Sequence, residues 1–230
     1  MVFSDREEKI INNEMSKLKN EITLRLVTDY KNSNDGKKTR QCLSCNSIMT
    51  ILNELANASQ GKLKIIEIST HEDQEFIDKF DIKRIPTIIF LDDNGEEMIR
   101  YTAVPDGNQL VGFIKTLQFY SGVSPFYKDQ IKTNMANIEK SEITMFVTHT
   151  CPYCPQVIPI ANLFALVSDG KIKVEVIDIN SNQDIAQKYN ITSVPNTMIN
   201  KKDNLYGLFT PQNLLDKLTK GQRDFGGMYA

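Results

Sequence analysis

The residues of this 230-residue chain best suited to chemistry are its four cysteines, which form two pairs of identical spacing, Cys42/Cys45 and Cys151/Cys154. Two sulfurs one helical turn apart can close a disulfide, and the thiolate form can attack one in another protein. In each pair the first cysteine falls where a strand pattern ends and an apolar-patterned helix begins, with Ile48, Ile51 and Leu52 following the first pair and Ile158, Leu163 and Phe164 the second. There, unpaired backbone N–H groups and the helix dipole stabilise a negative sulfur. Cys42 and Cys151 are therefore expected to be nucleophiles, and Cys45 and Cys154 resolving thiols. Two alternatives stay open. Zinc-binding pairs normally stand about 15–20 residues apart on short loops, whereas these stand 109 apart and belong to separate repeats. A passive disulfide is the other, more for the first pair than for the second.

The same 109 residues separate Gly61 from Gly170, Ile65 from Val174, Phe80 from Tyr189, Ile82 from Ile191 and Pro86 from Pro195. A register held from cysteine to proline without a gap means two copies of one fold. Upstream of the cysteines, ITLRLVTDY from Ile22 matches ITMFVTHT from Ile143 at an offset of 121. That register leaves unit 1 about twelve extra residues, roughly Lys31 to Gln41, read as a polar surface loop. Each unit should run helix, strand, helix, strand, helix, hairpin, helix, giving an α/β fold in which a mixed four-stranded sheet is flanked by helices. The spacing predicts strands at 22–29, 63–68, 143–148 and 172–178, and helices at 43–58, 72–80, 107–120, 152–168, 182–189 and 211–219. Ser4 with Glu7 signals a capping box, Asn94-Gly95 a tight primed hairpin turn, and Ser124-Pro125 the start of a helix reaching Ile138. The units divide as 1–120 and 121–230, and the tail GQRDFGGMYA reads as a frayed end.

CPYC at 151–154, followed by Pro155, resembles the glutaredoxin active site, and VPN at 194–196 resembles its cis-proline segment. Taken alone, Pro86 and Pro195 are strand-opening prolines; in register with the two cysteine pairs they resemble the cis-prolines that face the dithiol in thioredoxin folds. Two such units in tandem are similar to the protein disulfide oxidoreductases of archaea and some thermophilic bacteria, over about residues 5–220. The resemblance implies exchange with disulfide-containing proteins; no bound cofactor or metal is expected. It implies electrons from an NADPH-dependent, thioredoxin-reductase-like flavoprotein. It also implies substrate pairing along the backbone of Ile85, Pro86, Val194 and Pro195. CPYC looks like the main reductive centre. CLSC at 42–45 departs from it by lacking the central proline. Thioredoxins often bury an acid six residues before the first cysteine; in unit 2 that residue is Met145.

A formal net charge of −2 offers no general attraction to nucleic acid or anionic lipid, and no apolar run is long enough to span a bilayer. The N-terminal residues show no secretory pattern, so a cytoplasmic protein is expected. His149, and Lys37, Lys38 and Arg40, stand near the two sites and are weighed as thiolate-stabilising charges against plain solvated loops; Tyr153 is expected to give exposed contact surface. The competing function is an electron relay between a flavin disulfide reductase and a peroxide-reducing partner such as a peroxiredoxin. Two intact pairs favour the disulfide oxidoreductase.

Overall fold

The structure, a computed structural model, describes residues 3–33 and 36–221. The expected frayed tail therefore lies outside the described residues, apart from Gly221. The chain opens with α1 (Asp5–Met15), whose capping box is formed: Ser4 Oγ accepts from the N–H of Glu7, and the Glu7 carboxylate accepts from the N–H of Ser4. Unit 1 continues with β1 (Ile22–Thr28), the short strands β2 (Lys31–Asn32) and β3 (Lys38–Thr39), α2 (Cys45–Ala58) and β4 (Leu63–Ser69). It closes with α3 (Gln74–Lys79), β5 (Thr87–Leu91), β6 (Glu97–Thr102) and α4 (Gln109–Tyr120). Unit 2 comprises α5 (Lys128–Thr133), β7 (Ser141–Val147), α6 (Cys154–Leu166), β8 (Ile172–Asp178), α7 (Gln183–Lys188), β9 (Asn196–Ile199), β10 (Asp203–Tyr206) and α8 (Pro211–Leu218).

The two expected four-stranded sheets are joined. Strand β6 pairs in parallel with β8, Ile99 opposite Val174 and Tyr101 opposite Val176, so one eight-stranded sheet runs β10-β9-β7-β8-β6-β5-β1-β4. On one face, α1, α2, α4, α6 and α8 cover a single apolar core that crosses both units and includes Leu26, Leu52, Phe113, Met145, Phe164 and Leu215. On the other face, α3 and α7 cover two separate small clusters, Val27, Ile68, Phe80 and Ile89 in one, and Phe146, Ile177 and Met198 in the other. A polar groove containing Arg84, Arg100 and Glu175 lies between them. Gly112 of α4 lies so close to α6 that an added Cβ would stand 2.9 Å from Pro155 Cα. The helix is open at this point, because Pro159 has no N–H to return to the Pro155 carbonyl.

Four expectations need correction. The upstream register is 119 and not 121: Ile22 pairs with Leu63 and Ser141 with Ile172, and the latter partners differ by 109. The insertion is therefore ten residues long. A slip of two keeps every side chain on its own face, which is why the sequence match looked acceptable. The insertion is also no plain loop, since β2 and β3 pair as a ribbon. At the β5–β6 turn only Gly95 is left-handed, with φ of +76°. The Asp92 carboxylate accepts from the N–H groups of Asn94 and Glu96 and stabilises a type I turn with a glycine bulge in place of a primed turn. Finally, Ser124 caps no helix, its hydroxyl turning to the Gly122 carbonyl; α5 begins at Lys128. That helix stops where Asn134 Nδ2 takes the Gln130 carbonyl, 3.0 Å away, and a 3₁₀ turn follows at Met135–Asn137.

Candidate active site: two disulfides at one end of the strands

Both cysteine pairs are joined as disulfides, Cα atoms 5.5 Å apart in Cys42–Cys45 and 5.6 Å in Cys151–Cys154. The second cysteine of each opens a long helix, α2 or α6. Strand β1 is antiparallel to β5, β5 is antiparallel to β6, and β6, β8 and β7 are parallel, so β1 and β7 point the same way. Both disulfides therefore sit at the same end of the strands, past the C-terminal ends of β1 and β7. Four strand spacings separate them, about 19 Å, which rules out direct sulfur-to-sulfur exchange between the sites in this arrangement. The Ile85–Pro86 and Val194–Pro195 peptides are both cis, and each proline immediately precedes β5 or β9. Thr87 pairs with Val27 and Asn196 with Phe146, which places each cis-proline beside the strand end that leads to its disulfide.

The second cysteine of each pair, Cys45 or Cys154, is fully buried, Cys151 is 5% exposed, and Cys42 is half-buried. At site 2 the N–H of Cys154 donates to Cys151 Sγ at 3.1 Å, the contact that stabilises a thiolate there. At site 1 the N–H of Cys45 goes to the Cys42 carbonyl instead, at 3.3 Å. Leu43 is fully exposed and Tyr153 is 54% exposed, so each site carries an apolar side chain on the approach to the sulfur. The place six residues before Cys151 holds Met145, and β-sheet register puts Leu26 in the same place in unit 1; both are fully buried.

The charges expected near Cys42 are directed elsewhere. Arg40 makes a two-pronged pair with Glu67 of β4 (2.6 and 2.8 Å), Lys38 reaches the same carboxylate at 3.3 Å and stands over the Tyr30 ring, and Thr28 also donates to it. Burial pushes the Glu67 carboxyl up, but the hydrogen bonds from Arg40 and Thr28 outweigh it and hold the group below the usual carboxylate range. These bonds staple the β2–β3 ribbon across β1 and β4. His149 is exposed, and its contribution comes from its backbone.

Several residues that sequence reasoning missed brace the sites from the opposite unit. The backbone N–H of Asn108 donates to the His149 carbonyl (3.0 Å), Asn108 Nδ2 to the Thr150 carbonyl (2.9 Å), and Gln109 Nε2 to the Thr148 carbonyl. Gly107, with φ of +50°, lets the chain pass; an added Cβ would stand 2.9 Å from the His149 oxygen. In the other direction, Arg84 in the loop before Pro86 donates to Asn182 Oδ1 (3.1 Å) and pairs with Asp184. No local motif signals these contacts, because they join residues 39 to 100 apart in sequence. Asp29, three residues beyond Leu26, also carries no sequence signal: its carboxylate, Cys42 Sγ and Cys45 Sγ lie within 4.8 Å of one another. With both sulfurs in the disulfide, neither is a thiolate free to bind an ion.

Cysteine pairs set at helix starts in this way are suited to dithiol–disulfide exchange. No described helix is long and apolar enough to cross a membrane. The family described as thioredoxin matches residues 39–116, and that described as thioredoxin domain matches residues 141–220. The F component of alkyl hydroperoxide reductase of Staphylococcus aureus is 25% identical over 155 residues, covering 67% of this chain and 30% of that protein. The chain thus spans under a third of that relative's length. A protein disulfide-isomerase of Schizosaccharomyces pombe is 23% identical over 176 residues, 70% of this chain and 48% of that one. Among solved structures, a protein disulfide oxidoreductase from Aeropyrum pernix shares the fold with a TM-score of 0.77 and 22% identity, covering 97% of both chains. An N-terminal domain of alkyl hydroperoxide reductase from Enterococcus faecalis does so at 0.79 and 20% identity, covering 94% of this chain and 99% of that one. Thioredoxin of Pseudomonas aeruginosa is 32% identical over 73 residues, two thirds of its length. With a thioredoxin domain matched in each half, the chain belongs to the thioredoxin family.

Proposed function

We propose that the chain is a two-site protein disulfide oxidoreductase, with units 1–120 and 121–230. The N–H of Cys154 on Cys151 Sγ is the observation that carries this reading, because it prepares the outer sulfur for release and attack as a thiolate. Cys42 and Cys151 attack the substrate disulfide, and Cys45 and Cys154 resolve the mixed disulfide. An extended segment of the substrate pairs with the backbone at Ile85-Pro86 or Val194-Pro195. Electrons come from an NADPH-dependent flavoprotein disulfide reductase, and the setting is cytoplasmic.

The test is the equilibrium of each pair against graded thiol–disulfide buffers, read by alkylation and mass spectrometry. Both pairs titrating at roughly −180 to −270 mV would support exchange at both sites. A Cys42–Cys45 bond that stays oxidised below about −300 mV would make site 1 structural and the protein a one-site reductase.

The likeness to the F component of alkyl hydroperoxide reductase favours a second reading, a carrier between a flavoprotein and a peroxide-reducing protein. Peroxide-dependent NADPH oxidation that needs this chain, a flavoprotein disulfide reductase and a peroxiredoxin together would support it.

A further inference from the structure

Resolution at a Cys-x-x-Cys site requires the buried thiol to lose a proton, and the two sites differ in what can take it. Cys45 is fully buried, and the position beneath its pair is filled by Leu26, which has no proton to exchange. Asp29 lies at the end of β1, its carboxylate within 4.8 Å of both Cys42 Sγ and Cys45 Sγ. Among the described residues this is the one place where three acidic or sulfur side-chain atoms converge so closely. The N–H of Gln41, next to Cys42, donates to both Asp29 oxygens (3.2 and 3.3 Å) and holds the carboxylate against the pair.

The charged groups around Asp29 leave it this role. Arg40, whose charge it supports, is engaged by Glu67 and Asn46. Lys38 is engaged by the same Glu67, and Glu72, on the turn after β4, is taken up by Asn32. His71 lies on that same turn, with its backbone bound to Ser69 Oγ. By strand register the counterpart of Asp29 in unit 2 is Thr148, a residue that cannot accept a thiol proton at neutral pH.

Resting on the exchange chemistry proposed above, we propose that Asp29 is the general base of site 1, taking the proton of Cys45 as that sulfur resolves the mixed disulfide. The Cys42 thiolate attacks one sulfur of the substrate disulfide, and the other leaves as a thiolate that takes a proton from water. The Cys45 thiol then gives its proton to the Asp29 carboxylate, directly or through one water, as its sulfur bonds to Cys42 Sγ. The bond from Cys42 to the substrate breaks, and the second substrate sulfur leaves with the electron pair and regains a proton from Asp29. Two electrons pass from the dithiol to the substrate, and the Cys42–Cys45 disulfide remains.

The experiment uses the full chain with Cys151→Ser and Cys154→Ser, so that only site 1 reacts. The reduced protein is mixed with a disulfide-linked peptide, and formation and decay of the mixed disulfide are followed by acid quench and mass spectrometry between pH 6 and 9. Asp29→Asn should slow decay about tenfold or more at pH 7, with the rate climbing through the thiol range, about pH 8–9. Its rate of mixed-disulfide formation should stay within about twofold of the parent, and Asp29→Glu should recover part of the decay rate. Decay with the same rate and pH profile in parent and Asp29→Asn would overturn the proposal. If Asp29→Asn does not fold, the parent decides alone: a decay rate level from pH 7 to 9 supports a built-in base, and one rising steadily through that range overturns it. A parent that never forms the mixed disulfide would overturn the exchange reading of site 1 itself, and Asp29 with it.

Discussion

Asn108 and Thr150 belong to different units, yet the Asn108 side chain donates to the Thr150 carbonyl at 2.9 Å, one residue before Cys151. Site 2 is therefore positioned partly by the helix that ends unit 1. Removing this bond with Asn108→Ala forfeits about 0.5–1.5 kcal/mol. If it falls unequally on the two redox states, the midpoint of Cys151–Cys154 moves by about 10–30 mV. Titration against thiol–disulfide buffers should show that shift at site 2 and none at site 1.

Gly112 tests the packing of α4 on α6. A methyl group there meets backbone atoms of Pro155, at 2.9 Å from Cα and 3.1 Å from the carbonyl oxygen, and backbone cannot swing aside as a side-chain tip does. Gly112→Ala should cost about 1–3 kcal/mol and lower Tm by about 2–4 °C for each of them. The cost should appear despite the better helix propensity of alanine, and thermal unfolding monitored by circular dichroism reads it.

The staple on the β2–β3 ribbon makes site 1 sensitive to acid. Glu67 is held below the ordinary carboxylate range by Arg40 and Thr28, against its own burial. A carboxyl depressed in the folded state adds stability above its unfolded value, about pH 4.3, and that stability is lost as pH falls through the folded value. Glu67→Gln should melt lower than the parent at pH 7, with the difference closing as the pH drops below about 4. A difference independent of pH would mean that charge pairing is not what the ribbon depends on.

Glu175, on the groove face of β8, should behave in the opposite sense. Burial raises its carboxyl, with Arg100 and the Thr102 hydroxyl only partly offsetting this. A raised carboxyl favours the folded state in acid, and that advantage is lost as pH rises past the unfolded value toward the folded one. Glu175→Gln should therefore raise Tm at neutral pH, and its advantage over the parent should vanish on acidification. Melting curves at pH 4 and pH 7.5 check both arms.

Much of the core and of the reactive chemistry was legible because it depends on local spacing. Strand β8 was bounded correctly by its alternating residues, and Cys-x-x-Cys followed by an apolar helix located both disulfides. The features that escaped depend on contacts between distant residues. The pairing of Ile99 with Val174 that fuses the sheets leaves no mark on either strand, since a parallel edge buried by its neighbour has the same composition as one buried by a helix. The offset of 121 was plausible because a two-residue slip preserves the alternation of β1 and β7. Lys38 and Arg40 read as free charge because their partner, Glu67, is 29 and 27 residues away. Asp29 is not legible from spacing, because the ten-residue insertion hides how close it comes to Cys42.

The junction of β6 with β8 also bears on how the chain can be handled. Cut between its units, the protein would present two fresh sheet margins whose unpaired N–H and C=O groups flank Ile99, Tyr101, Val174 and Val176, all now buried. Exposed margins of that kind recruit other strands and promote aggregation. Joined, each half shields the other's border, and among the described residues β4 and β10 are the outer strands of the eight-stranded sheet. The tandem is thus its own solubility device, and site-by-site work belongs in the whole chain, with one dithiol silenced by serine, in preference to either half expressed alone.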